Sequence, residues 1–334
     1  MAATKQKPVY SVYIVSGSTK YNVTKAVIGQ DRAEPKGQIA QRVTLQLANV
    51  KVGDAMLSSL LKALDRVFIY ANDGAQEKEV FRGYLWTRSR IDSLSEKEIR
   101  YTCYDNLIYF QESEDSLYFS SGKSTKDVVT AICEKWGIKL QYSYDSITHT
   151  KLPLRGFLAD IFIDGILDLV KKRTKKKYVI LSEQDTMVVR PVGSNSTVYH
   201  FVAGKNVTRS ASGWTMDGII TKVIIVGKAD GNDREPIEET VSGKTSEYGT
   251  VQKILRRNEN TSIADAKIEA KHTIDENGEP KWEYEITAAD IPWIRRGDKI
   301  HVKAGEIDGE RIVTEISRSI DQKRREMNLT LEDV

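Results

Sequence analysis

"DKIHVKAGEIDGERIVTEISRSID" runs from Asp298 to Asp321, and "DRVFIYANDGAQEKEVFRGYLWTRSRID" runs from Asp65 to Asp92. Both open on Asp and a basic residue, continue as an alternating apolar strand, and close in a Ser/Arg-rich strand ending Ile-Asp. The next strand of each stretch matches as well. In "KEIRYTCYD", Ile99, Tyr101 and Cys103 occupy every second position, and in "RREMNLTLED" so do Met327, Leu329 and Leu331. A period of two puts those residues on one face of a strand and their polar neighbours on the other. Each copy therefore reads as three successive antiparallel strands, and the chain carries the unit twice. Strands in this order suit a small barrel, because closing the sheet removes its exposed edges.

The flanking segments extend the match. Upstream of the first copy, Val9–Val15 and Tyr21–Ile28 are β-rich runs separated by "SGSTK", a hairpin signal. Gln38–Leu47 places Val43, Leu45 and Leu47 on one face, and Asp54–Leu64 has leucines at helical spacing with Asp54 as its expected N-cap. Upstream of the second copy, Ile219–Val226 and Trp282–Ile286 read as strands, with "GNDREP" and "VSGKTSEYG" as loops. Ser262–Ile274 reads as a helix opened by the capping-box-like "SIAD", with His272 on its solvated face.

Between the copies the period changes. Ser124–Trp136 is an amphipathic helix begun by "STKD", Phe162–Lys172 is a second, and Tyr178–Leu181 with Met187–Val192 forms a hairpin around "SEQD". The expected fold is mainly β with an α+β insert. Its parts are a first barrel at 1–106, an α+β domain at 107–207 and a second barrel at 208–334.

Composition narrows the function. The 334 residues are 40% hydrophobic and 29% charged, with a net charge of +3, far from the strongly basic balance of a dedicated nucleic-acid binder. No apolar run is long enough to cross a bilayer as a helix, so no membrane anchor is expected. "MAATKQKPVYSVYIV" lacks a signal-peptide core, so the expected site of synthesis is the host cytoplasm, before assembly. Cys103 and Cys133 have neither metal-ligand spacing nor a disulfide framework, and His149, His200, His272 and His301 are scattered. "SGKST" at Ser121–Thr125 would need a glycine where Leu117 stands to be a phosphate loop; a helix N-cap explains it. No GxSxG nucleophile elbow is present. These readings give no catalytic, cofactor-binding or metal residue. The run "KKRTKKK", Lys171–Lys177, suits the negative end of a helix dipole, with an acidic partner as its functional alternative.

Several segments, in order along nearly the whole chain, resemble baseplate hub proteins of contractile phage tails, PBSX-type defective prophages and tail-like bacteriocins. They are "RVFIYA…EVFRGYLW", "YTCYDNLIYF", "STKDVVTAICEKWGI", "DGIITKVIIVGK", "SEYGTVQKIL" and "IRRGDKIHVKAG…RIVTEISR…MNLTLED". The resemblance implies two tail-tube-like barrels per chain and a homotrimer that presents six barrels to the sixfold tail tube and three chains to the trimeric spike. The implied partners are the tube protein, the spike and other baseplate proteins, with nucleic acid at most passing through the lumen. On this reading Arg82, Arg88, Arg90, Arg295, Arg296 and Arg318, on or beside the paired strands, are candidates for contacts between subunits, since the guanidinium fork can hold a carboxylate with two hydrogen bonds. The alternative reading is a peptidoglycan- or cell-surface-binding module of a tail particle.

Overall fold

A computed structural model of the chain describes residues 7–92, 97–143, 146–229, 235–257 and 261–334. It divides into two compact units, Met1–Ala211 with Tyr284–Val334, and Ser212–Glu283. The strands are β1 (Val9–Ser16), β2 (Thr19–Asn22), β3 (Val27–Glu34), β4 (Arg42–Ala48), the short β5 (Lys51–Val52) and β6 (Ala55–Met56), β7 (Arg66–Asn72), β8 (Glu77–Asp92) and β9 (Lys97–Tyr104). The middle segment contributes β10 (Glu114–Phe119), β11 (Lys139–Tyr142), β12 (Leu152–Phe157), β13 (Tyr178–Glu183) and β14 (Thr186–Pro191). Then come β15 (Tyr199–Val202), β16 (Val207–Thr215), β17 (Lys222–Val226), β18 (Ile237–Ser242), β19 (Gln252–Arg256), β20 (Lys281–Ala289), β21 (Lys299–Ala304), β22 (Ile307–Asp321) and β23 (Arg325–Asp333).

The two sequence copies fold alike. One runs β3-β4-β9-β8-β7-β1 in spatial order and the other β16-β20-β23-β22-β21-β15, within a single 13-stranded sheet. The long strand of each copy shifts register at its middle, at Leu85/Thr87 in β8 and at Val313/Glu315 in β22. In both copies the neighbouring pair is antiparallel and in matching register: Val43 faces Cys103, and Tyr284 faces Leu331. The correspondence breaks at one end, where β1 pairs β7 antiparallel and β15 pairs β21 parallel. Each copy has its own core. Val12, Val43, Leu45, Ile69 and Tyr101 pack in the first, and Phe201, Ile286, Val302, Val313 and Leu329 in the second. β22 joins them: its start lies beside β21, and its end, from Ile316 to Asp321, pairs β3.

The middle segment packs a third core from Leu107, Phe110, Val129, Phe162 and Met187. The helix Thr125–Lys135 begins at Ser124 in a capping box: Asp127 N–H donates to Ser124 Oγ at 3.1 Å, and Ser124 N–H donates to Asp127 Oδ2 at 3.0 Å. Ser124→Ala removes one half of that exchange and is expected to cost about 1 kcal/mol in urea unfolding. The second helix starts earlier than its leucine spacing predicts, at Leu158, and passes through a π-helical stretch, Ile161–Leu167, before Asp168–Thr174.

Three expectations change. Asp54–Leu64 forms only one helical turn, Leu57–Leu60, because β5 and β6 turn tightly about Gly53 at φ 63° and take Asp54 away from a capping position. Residues 208–334 do not form one body. Ser212–Glu283 is a separate compact unit, in which the sheet β18-β17-β19 packs Val223 and Ile225 against Ala266 and Ala270 of the helix Ile263–Asn277. His272 of that helix is buried rather than solvated, with Nδ1 3.4 Å from Glu276. Most of the "GNDREP" loop lies outside the described residues.

Candidate functional site

The chain between β20 and β21, "DIPWIRRGD", is a dense polar junction of the larger unit. It is irregular because Pro292 cannot donate to a ladder and Gly297 takes φ 83°, a region that favours glycine. Its side chains reach three bodies of the same unit. Asp290 accepts from Tyr10 Oη of β1 and, at 3.0 Å, from Arg318 Nε of β22. Trp293 Nε1 donates to Asp73 at 2.9 Å, in the β7–β8 turn. Arg295 Nε donates to Glu34 at 2.7 Å, and the Arg296 amide donates to the same carboxylate at 3.1 Å. Arg296 also donates to the carbonyls of Pro35, Gln38 and Ile180, and Asp298 accepts from Arg190 at 2.5 Å. This one loop thus ties the first copy, the middle segment and the second copy together.

Along the joint itself, Gln30, Arg32 and Glu34 point inward from β3, since successive inward residues are two apart. Arg32 lies directly opposite Arg318 in the ladder, and both are 1% exposed. Burial and then the facing Arg32 bring Arg318 down to about 10, with Asp290 opposing them. Burial alone would raise Glu34, yet Arg295, Arg318 and Arg296 together hold it below the ordinary carboxylate range. Arg32 stacks on the Tyr10 ring at 5.5 Å.

Of the six arginines singled out in the sequence, Arg295, Arg296 and Arg318 are therefore spent inside the chain. The residues beside the paired strands face another copy of the β-unit in the same polypeptide, which sequence spacing does not reveal. Arg82 is also occupied within the chain, holding Glu79 through two bonds of 2.8 Å, with Asp185 of the middle hairpin 3.5 Å away. Arg88 and Arg90 are exposed on the second half of β8, Arg88 donating to the Ser58 carbonyl at 3.1 Å. Sequence reasoning missed Glu34, Asp290 and Arg32. Arg32 and Glu34 were signalled only by the row of Gln30, Arg32 and Glu34 at every second position of β3, where an apolar row was due, and Asp290 carried no such signal.

A polar groove of about 1320 Å³ opens beside the loop, lined among others by Gln41, Arg82, Asp105, Arg190, Trp293 and Asp298. Asp105 accepts from the Gln41 and Leu107 amides, each at 2.9 Å, yet burial outweighs these bonds and pushes its carboxyl up to about 7. Its ordinary value is near 4, so the folded state holds this proton where the unfolded chain has lost it. The stability it contributes is full below about pH 4 and is lost as pH rises to about 7, an effect on the order of 4 kcal/mol. Asp105→Asn is expected to flatten that part of the profile. Urea midpoints of wild type and variant across this window measure the difference, and parallel profiles would refute the assignment.

Among the described residues no group of three His, Cys, Asp or Glu side chains is placed to hold a metal ion. No helix among them is long and apolar enough to cross a membrane. Both cysteines are free and buried; burial raises both thiols, Cys133 to about 12.

The YQBQ-like family matches residues 65–332. This chain belongs to the YQBQ-like family. No curated protein matches it significantly by sequence. Among solved structures, the tail protein from Neisseria meningitidis MC58 is 15% identical with a TM-score of 0.71, over 97% of this chain and 96% of that one. The 43 kDa tail protein of prophage MuSo2 from Shewanella oneidensis is 13% identical with a TM-score of 0.68, over 96% and 98%. A component of the E. coli type VI secretion system, described as structurally similar to T4 tail proteins gp27 and gp5, is 9% identical with a TM-score of 0.54, over 92% and 73%. The mainly β architecture of this YQBQ-like protein is thus the fold of tail proteins.

Proposed function

We propose that this YQBQ-like protein is a structural baseplate hub, a symmetry adaptor between the sixfold tube and the trimeric spike of a contractile tail or tail-like particle. The observation that carries the reading is the duplication: two copies of one strand order in a single chain, joined edge to edge through β3 and β22. Three chains then offer six similar modules to one neighbour and three identical protomers to the other, which a chain with one module cannot do. The fold shared with tail proteins supports the setting. The polar junction supports a load-carrying role, because it ties the modules of one chain together. On this reading 1–106 is the first module and 107–207 chiefly the connector, while the second module takes β15 from that connector together with 208–334 and carries 212–283 as an insert. The protein is made in the host cytoplasm and acts without metal or cofactor.

Imaging of intact particles tests the proposal directly. Three copies are expected at the junction of tube and spike. Six copies, or a position elsewhere such as a fibre that binds cell walls, would overturn it.

A further inference from the structure

In the second copy, the end of β22 is not an edge. Residues 316–321 pair β23 on one side and β3 on the other. The same length of the first copy has no such cover. β8 pairs β7 only as far as Tyr84 and pairs β9 to its end, so residues 87–92 keep one open side among the described strands. The register shifts align the two strands: Leu85 corresponds to Val313, Ser89 to Ser317 and Arg90 to Arg318. The contrast in burial agrees with the pairing. Thr87, Arg88, Ser89, Arg90 and Ile91 are all exposed, whereas Ile316, Arg318 and Ile320 are buried.

The strand that would supply the cover is equally identifiable. β3 ends the first copy's order and β16 ends the second's. β16 lies on β20 as β3 lies on β4, with the Ala289 amide donating to the Asn206 carbonyl at 3.1 Å and Thr208 Oγ1 to the Thr287 carbonyl at 3.2 Å. Beyond Val207, which makes an isolated bridge to Ala203, its other edge pairs no described strand, and Thr208, Arg209 and Ser210 are exposed although Gly305 of the β21–β22 turn lies beside Ser210. One chain thus presents an uncovered acceptor at one end and an uncovered donor at the other, with their covered counterparts joined in its middle. Exposed edges of this kind are templates for strand addition.

We propose that β16 of one copy adds to residues 87–92 of β8 in the next copy, repeating between chains the joint that β3 and β22 make within each chain. Donor and acceptor surfaces differ, so the contact is heterologous and propagates head to tail until it closes. If the rotation at the joint between chains equals that within the chain, six modules close as three chains. The joint places Arg88 and Arg90 in the contact, in the positions that Ile316 and Arg318 fill inside the chain.

This inference rests on the hub reading for its ring size, and cross-linking separates the two. In-chain, Ser319 faces Asp31 in the ladder. The corresponding pair between chains is Ile91 and Ser210, both exposed. Ile91→Cys with Ser210→Cys, oxidised in intact particles, is expected to shift the monomer band to dimer and trimer and no further, while either cysteine alone gives no ladder. Buried Cys103 and Cys133, with raised thiols, leave the background low. Three hub copies at the tube–spike junction with no cross-link would sink the strand pairing alone. A ladder that ends at trimer in a protein found elsewhere in the particle would sink the hub reading and keep the pairing. A ladder beyond trimer would refute closure at three chains.

Discussion

Asp290→Ala is expected to destabilise the larger unit by about 3–5 kcal/mol, because it leaves a buried guanidinium without its carboxylate. The Arg318 side chain is 1% exposed and that of Asp290 is 0%. Arg318 faces Arg32 across the ladder, so losing Asp290 leaves two facing cations with only Glu34, already held by Arg295, as a nearby carboxylate, and Tyr10 loses its acceptor. Water cannot enter freely to compensate. Urea unfolding followed by tryptophan fluorescence measures the loss, and a cost below about 1 kcal/mol, the range of an exposed ion pair, would refute the buried-pair description. The double variant Asp290→Ala with Arg318→Met should recover part of the stability, since removing both charges avoids the unpaired one. Recovery should be incomplete, because Arg318 also donates to the Ile291 and Ile294 carbonyls.

Gly83→Ala carries the second large effect, by a steric route. A Cβ at Gly83 in β8 would stand 2.1 Å from the Tyr104 carbonyl oxygen and 2.7 Å from Phe81 Cζ. The first obstacle is backbone of the neighbouring strand, so it cannot rotate away. Relief requires β8 and β9 to separate beside the register shift, where Leu85 and Cys103 enter the core. The expected cost is about 3 kcal/mol or more, at the upper end of overpacking. Gly213→Ala is the matched control: nothing lies within 4 Å of its Cβ, and its effect should stay within about 0.5 kcal/mol. Equal midpoints for the two variants would contradict the close approach.

The strands were legible because their faces differ. β4, β9 and β23 alternate cleanly, since one side meets a core and the other does not, and the capping box at Ser124 needs only four residues. The repeat was legible for the same reason: "SRID" and "SRSID" close corresponding strands. The helix expected at Asp54–Leu64 failed because leucine spacing records which residues are buried, not whether the backbone between them is helical. Leu57 and Leu61 are buried on either side of a single turn. The insert at Ser212–Glu283 was hidden because its strands and helix carry the same local patterns as the copy that encloses them. The arginines divided by long-range pairing. Arg90 and Arg318 hold corresponding positions, and only the arrival of β3 beside β22 buries one and leaves the other exposed.

That pairing also sets an order of events at the ribosome. Asp31 and Ser319, joined by a 2.8 Å hydrogen bond across it, are 288 positions apart. Contacts so distant along the chain cannot form until β22 has been synthesised, and they slow folding through the entropy of closing a long loop. While β22 is still unmade, β3 offers a bare edge in a nascent protein that already holds a nearly complete first module. Two nascent chains on one message would then compete to donate the same strand, exchanging segments instead of folding separately. The β3–β22 joint therefore makes slow translation between β3 and β22 a hazard, and a chaperone that covers β3 during synthesis would raise the yield of correctly folded monomer.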